Sequence, residues 1–190
     1  MLNKQFFLTL TLSAALLTGC STTHYINIVP QVNVKNESVS NDRVINVTTD
    51  TKLTNAIGSI KTGLSEKADI FTVNDVKLSV KESVIAGLRS LGFTPDQGVL
   101  PASEIQIDIT KMSYKTKVNA LKTVATLDFE IKATVIAKGK TYKANYGSQK
   151  VDEYGTMPYQ KTIEKDMNDL ASQTVNRLLS DPNIIILLKE

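Results

Sequence analysis

Hydrophobic and polar residues alternate strictly over three consecutive stretches in the second half of the chain. Ile105, Ile107 and Ile109 oppose Glu104, Gln106, Asp108 and Thr110, and Met112 and Tyr114 extend the apolar series. Ala125, Leu127, Phe129, Ile131, Ala133 and Val135 follow on one face, with Thr126, Asp128, Glu130, Lys132 and Thr134 on the other. Tyr142, Ala144 and Tyr146 then alternate up a third stretch. A period of two sends successive side chains to opposite faces of a strand, so the three stretches predict an antiparallel meander with one apolar and one wet face. Lys138-Gly139-Lys140 predicts its hairpin turn, and Lys115 to Ala120 reads as a basic connection.

Two stretches change period. Val76, Val80, Val84, Leu88 and Leu91 recur every three or four residues, the stripe of an amphipathic helix that Asn74 or Asp75 caps and Gly92 and Pro95 end. Ile163, Met167, Leu170, Ala171, Val175 and Leu178 predict a second helix, starting near Pro158 and stopping before Asp181-Pro182. The run Ile184 to Leu188 is too short to span a membrane and reads as a tail docked on the core.

The first half is patterned more weakly. Ile26, Ile28, Val32 and Val34 alternate around Pro30, which predicts an edge strand because proline cannot donate to a ladder. Val44 to Val47 and Ile70 to Val73 predict two further short strands, and Ile57 to Gly63, with two glycines, reads as a loop. The predicted order is β-β-(β)-α-β-β-β-α. Each helix has one stripe to bury, so the expected fold is α+β, an antiparallel β-sheet with two helices packed on one face.

Ahead of this pattern lies a leader. Lys4 gives a weakly basic start, Phe6 to Leu17 an apolar run of about a dozen residues, and Thr18-Gly19 a small-residue exit. Leu17-Thr18-Gly19-Cys20 is the pattern of a bacterial lipobox, which predicts cleavage between Gly19 and Cys20 and acylation of Cys20. The chain has no other cysteine, so that thiol has no intramolecular disulfide partner. The expected organisation is a signal peptide over 1–19, an acylated Cys and short tether over 20–24, and a single α+β domain over 25–190. One acyl chain binds a membrane only marginally, whereas two or three hold a protein there. Ser21 stands where lipoproteins retained in the inner membrane often carry Asp. Resemblance to sorted lipoproteins therefore implies the periplasm-facing leaflet of the outer membrane.

Charge adds exclusions. Without Lys4, 21 basic side chains stand against 19 acidic ones, a formal balance of +2. No clustered basic stripe of the kind that tracks phosphates occurs, so no nucleic-acid partner is expected. The only His, His24, adjoins the tether and reads as a solvated surface residue, and with a lipidated Cys no His/Cys zinc set can be assembled. No phosphate loop is present, and no cofactor is expected.

Paired carboxylates, Asp128 with Glu130 and Asp152 with Glu153, are the nearest approach to glycosidase chemistry, which needs two carboxyls about 5–10 Å apart. The plainer reading is a solvated sheet face interleaved with Lys132 and Lys143. Tyr154 and Tyr159 flank Gly155-Thr156-Met157-Pro158 between the last strand and the long helix. Tyrosine joins an apolar body to a polar tip, so this loop is a candidate partner contact; packing at a sheet corner is the alternative.

The organisation resembles the YajG-like family of bacterial envelope lipoproteins. The resemblance rests on Leu17-Thr18-Gly19-Cys20, Tyr25-Ile26-Asn27-Ile28-Val29-Pro30, the Val44–Val47 strand, Leu88-Arg89-Ser90-Leu91-Gly92-Phe93 and the alternation from Ile105. Asp50-Thr51-Lys52 stands where the family usually shows an acid-x-Arg. The resemblance implies a small periplasm-facing α+β lipoprotein and supplies no catalytic residue. The expected role is a non-enzymatic binding or scaffold lipoprotein, joined to the membrane through Cys20 and to an envelope protein partner. A carrier of lipid or cell-wall fragments, with a cavity beside Leu88, Leu127, Phe129 and Leu170, is the alternative; a peptidoglycan hydrolase is a distant third.

Overall fold

A computed structural model describes residues 23–34, 44–61, 67–95, 103–119, 122–155 and 157–189. The element order is β1 (His24–Ile26), β2 (Val44–Thr51), β3 (Ala56–Lys61), β4 (Lys67–Thr72), α1 (Val76–Ser90), β5 (Thr94–Pro95), β6 (Ser103–Asn119), β7 (Lys122–Ala137), β8 (Lys140–Tyr154), α2 (Gln160–Leu179) and α3 (Pro182–Lys189).

The alternating stretches form the meander. β6 pairs antiparallel with β7, and β7 with β8, over almost their whole lengths. The β7–β8 turn is the two-residue kind that needs positive φ at both positions: Lys138 has φ 48° and Gly139 75°. Ile105, Ile107 and Ile109 are buried, and so is Tyr114, although its position has the other parity. A bulge between Ile109 and Lys111 inserts one residue and restores the apolar face. The expected basic connection after Tyr114 is strand as far as Asn119, because β7 continues to pair with it down to Asn119–Lys122.

The sheet is mixed, not antiparallel as expected. β2 runs parallel to the first part of β6, Ile45 opposite Ser103 through Thr51 opposite Ile109, and also parallel to β5. Farther along the same edge of β6, β3 takes over, Gly58 lying opposite Tyr114 and again parallel. β3 then pairs antiparallel with β4, and β4 parallel with β1. The eight-stranded sheet thus forks at β6: one wing carries β2 and β5, the other β3, β4 and β1. Period-two alternation reports which face is buried and is blind to strand direction, which is why the parallel pairings escaped it.

Among the described residues three helices, where two were expected, back the sheet. α1 starts where Asp75 Oδ1 accepts the amides of Lys77 (3.0 Å) and Leu78 (3.2 Å), and Val76, Val80, Val84 and Leu88 are all buried. α2 buries Ile163, Met167, Leu170, Ala171, Val175 and Leu178 against β7 and β8. The apolar tail is helix α3: Pro182 occupies its first turn, Asp181 Oδ1 accepts the Asn183 amide at 2.9 Å, and Ile184, Leu187 and Leu188 are buried. Each large side chain so buried contributes roughly 1.5–3 kcal/mol. The buried apolar residues form one continuous cluster between sheet and helices.

Residues 57–61, read as loop, lie in β3. Gly58 explains both the misreading and the strand. A Cβ there would lie 1.8 Å from the Tyr114 carbonyl oxygen, so only glycine lets β3 approach β6 this closely.

Candidate functional site

The expected Pro-broken edge strand is only partly a strand. β1 pairs with β4 for three residues, and the extended chain from Asn27 then leaves the sheet and crosses the helices. Ile26, Ile28 and Pro30 are buried, whereas Tyr25, Asn27, Val29 and Gln31 point outward. The amides of Asn27, Val29, Gln31 and Asn33 donate to Glu164 Oε2 (2.9 Å), Asn168 Oδ1 (2.6 Å), Ser172 Oγ (2.8 Å) and Asn176 Oδ1 (2.9 Å) of α2. Asn168 and Asn176 also donate back, to the carbonyls of Asn27 (2.7 Å) and Gln31 (3.1 Å). The spacing works because four helical residues rise about 6.0 Å while two extended residues span about 6.6 Å. The segment follows an i, i+4 ridge of the helix.

The other edge of the segment faces α1. Asn74 clasps Ile28 from both sides, accepting its amide at 2.9 Å and donating to its carbonyl at 2.8 Å. The Ser83 hydroxyl lies 2.7 Å from the Pro30 carbonyl. Proline fits here because the α1-facing edge at that position uses only its carbonyl. Residues 27–33 are therefore fastened across both long helices.

His24 is buried, 6 % exposed, and not the solvated residue that was expected. Burial lowers its pKa below the usual histidine value, opposed by the Gln160 side chain. Its side chain points inward from β1 because the alternation of that strand sends Tyr25 out.

Tyr154 and Tyr159 do not form one contact surface. The Tyr154 hydroxyl donates to Asp166 Oδ2 (3.1 Å) beneath α2, close to Asp152 Oδ2 (3.3 Å). Lys150 Nζ bridges Asp152 (2.6 Å) and Asp166 (2.7 Å), and these two carboxylates raise its pKa. Tyr114, fully buried beside this cluster, is pushed up to about 12 by desolvation, opposed by the Tyr154 hydroxyl. The cluster neutralises the buried Asp166 and pins α2 to β8. Tyr159 precedes α2 and is 81 % exposed. A second tyrosine pair, Tyr142 and Tyr146, donates to Asp181 and ties β8 to the start of α3. Gly19 and Cys20 lie outside the described residues.

The four carboxylates do not face one another across a cleft. Asp128 and Glu130 share Lys111 on the open sheet face, at 3.2 Å and 3.3 Å. Asp128 also accepts from Ser113 (3.1 Å) and Gln149 (2.7 Å). Burial alone would raise its pKa, but bonds from Gln149, Lys111 and Ser113 outweigh that and hold it below the usual aspartate value. A general acid needs the opposite shift. Asp152 bonds inward, while Glu153 pairs with Lys122 at 3.0 Å.

Sequence reasoning did not find the clefts at the fork. From Thr51 to Gly58 the β2–β3 side advances seven residues while β6 advances five, from Ile109 to Tyr114. The excess chain bows out. Thr51 tidies the backbone there, its hydroxyl donating to the Ile109 carbonyl (2.9 Å) and accepting the Leu53 amide (3.1 Å). A cleft of ≈ 220 Å³ opens beside the start of α1, among Leu53, Asn55, Asn74, Asp75, Lys77 and Met112. Another, of ≈ 470 Å³, is lined by Asp50, Lys52, Leu53, Asp108, Thr110 and Lys132. The Asp50-Thr51-Lys52 triplet was the one available signal. Among the described residues no group of His, Cys, Asp and Glu is arranged to hold a metal ion, and no helix is long and apolar enough to cross a membrane.

One mixed sheet backed by one helical layer, with the N-terminal segment laced across that layer, defines an α+β domain. Its fold is that of protein XCC0632 from Xanthomonas campestris, which carries the family-model label DUF330; that structure has a TM-score of 0.58 and 10% identity over 88% of this chain and 95% of that one. A Helicobacter pylori protein described as a neuraminyllactose-binding hemagglutinin homolog aligns with TM-score 0.46 and 10% identity, over 83% and 95% of the two chains. Lipoprotein GNA1162 from Neisseria meningitidis aligns with TM-score 0.34 and 12% identity, over 73% and 98%. No curated protein matches the sequence. A family model described as "Uncharacterized lipoprotein" matches residues 30–189, and the chain belongs to that family of YajG-like lipoproteins.

Proposed function

We propose that this protein is a lipoprotein acylated on Cys20, held on the periplasm-facing leaflet of the outer membrane, where its domain acts without catalysis as a binding or scaffold unit. The observation that carries the reading is the lacing of residues 27–33 onto α2, with Ile28 and Pro30 held against α1. A lipid on Cys20 is only four residues from β1, so the membrane attachment passes directly into the folded body. Family membership and the leader pattern support the anchor. The commitment of Asp128, Glu130 and Asp152 to hydrogen bonds and ion pairs favours binding over hydrolysis.

The carrier alternative lacks an observation in its favour. Leu127 and Phe129 are 0 %, Leu88 1 % and Leu170 2 % exposed, all within the packed core, and none lines either cleft at the fork. Palmitate labelling of cells, followed by membrane fractionation and envelope crosslinking, tests the proposal. The wild-type chain should take up label, sediment with outer membranes and capture a protein that the Cys20→Ala variant does not. An unlabelled wild-type chain would refute the anchor. Equal capture by both forms would refute the scaffold role at the membrane.

A further inference from the structure

Exposed apolar side chains gather at the edge of the domain beside β1. Tyr25 is 54 %, Val29 45 %, Val73 57 %, Leu78 52 % and Tyr159 81 % exposed, so among the described residues five of the eight exposed large apolar side chains border one short segment. They are linked through the backbone. Tyr25 is the register partner of Phe71 and stacks on it, ring centres 6.1 Å apart at 26°. The Val73 amide donates to the Ile26 carbonyl at 3.0 Å. Asp75, next to the Asn74 that clasps Ile28, caps the turn bearing Leu78. Gln160, which follows Tyr159, approaches the Tyr25 amide at 3.4 Å. A shallow cleft among Tyr25, Asn55, Phe71, Thr72 and Val73 continues the patch.

We infer that this edge rests on the lipid surface that receives the Cys20 acyl chains, with Tyr25 at headgroup depth. The inference builds on the anchor proposed above. Five residue spacings separate Cys20 from Tyr25, a reach of at most about 18 Å even when fully extended. An acylated Cys20 sits at the bilayer interface, so Tyr25 cannot stand farther from it than that. Tyrosine is the side chain suited to such depth, its ring among acyl carbons and its hydroxyl in the wet headgroup layer. Because attachment already confines the domain, a contact too weak to recruit the protein from solution is enough to orient it.

The chain contains no tryptophan, so Tyr25→Trp introduces a single, selectively excitable indole at the predicted contact. The acylated variant is reconstituted in phosphatidylethanolamine/phosphatidylglycerol vesicles with or without brominated acyl chains. Val151→Trp, 58 % exposed in the wild type on the opposite edge strand, is the reference. Tyr25→Trp should shift to the blue and lose at least half its emission to bromine, while Val151→Trp changes by less than a tenth. Equal, weak quenching at both sites would overturn the inference, as would shielding of Tyr25→Trp that appears only after envelope proteins are added. Should circular dichroism show Tyr25→Trp misfolded, Val73→Trp serves with the same expectations. Vesicle flotation separates the two ideas: a protein that floats but is not quenched refutes the contact alone. One that fails to float refutes the anchor and the contact with it.

Discussion

Asp128 sits on the open face of the sheet, where a strand residue should be wet, yet it is 4 % exposed. Lys111, Ser113 and Gln149 converge on it from both neighbouring strands and replace its water. Bonds to a buried carboxylate are worth more than neutral ones, so Asp128→Asn should lower stability at neutral pH by about 1–2 kcal/mol. The pH dependence has a definite sign. The folded pKa lies below the unfolded value near 3.8, so the unfolded chain takes up the proton first as pH falls. The stabilisation is complete above that value and is lost as pH drops through the lower folded one. Urea denaturation of the two forms should therefore show a gap at pH 7 that narrows as the pH falls below 3.8. A gap that persists in acid would mean Asp128 contributes through shape and not charge. None of this convergence was legible beforehand: strand alternation placed Asp128 on the polar face correctly, but the bulge before Lys111 sets which β6 side chains stand opposite it.

At the scale of elements, the lacing of the N-terminal segment is the least expected feature. The alternation of Ile26 and Ile28 announced an extended chain with one buried face, and that much is right. Alternation does not say what satisfies the backbone along the two edges, and here helix side chains do what a neighbouring strand would do. Gln160, Glu164, Asn168, Ser172 and Asn176 recur every four residues, a stripe that by itself looks like an ordinary solvated face of α2. Asn168 holds two rungs, the Val29 amide and the Asn27 carbonyl. Asn168→Ala should therefore cost about 1–2 kcal/mol and, more diagnostically, loosen one place. Hydrogen exchange should accelerate at least tenfold for the Val29 amide and its ladder neighbours Asn27 and Gln31, with β7 unchanged. Uniform acceleration through the core would indicate a general loss of stability in place of a ladder. The meander and both long helices, by contrast, were readable because each has a long run of one period and a single face to bury.

For the whole molecule, the fork at β6 decides how the edge proposed to face the membrane is joined to the rest. The wing of β3, β4 and β1 lies nearest the proposed anchor, and among the described residues its backbone pairs with β6 only at Gly58–Tyr114 and Ser59–Lys115, where the Thr116 hydroxyl adds bonds to the Ser59 carbonyl and the Lys61 amide. The meander on the other side is paired along almost the full length of three long strands. Two residues of pairing against fifteen or more predict that the wing is the weaker cooperative unit, although the buried cluster runs beneath both. Gly58 is the place to test this. Its φ of 156° and the 1.8 Å that a Cβ would leave to the Tyr114 oxygen mean that Gly58→Ala must push β3 off β6. The expected cost is about 3 kcal/mol, from backbone strain together with the lost junction. Exchange measured by mass spectrometry should rise in residues 56–61, 67–72 and 24–26 well before it rises in β6 to β8. If protection instead vanishes everywhere at once, sheet and wing fold as one unit and the junction is no boundary. If it vanishes in the wing alone, the edge nearest the proposed anchor can loosen while the open sheet face stays intact. A domain anchored as proposed would then keep its meander folded even when its attachment is strained.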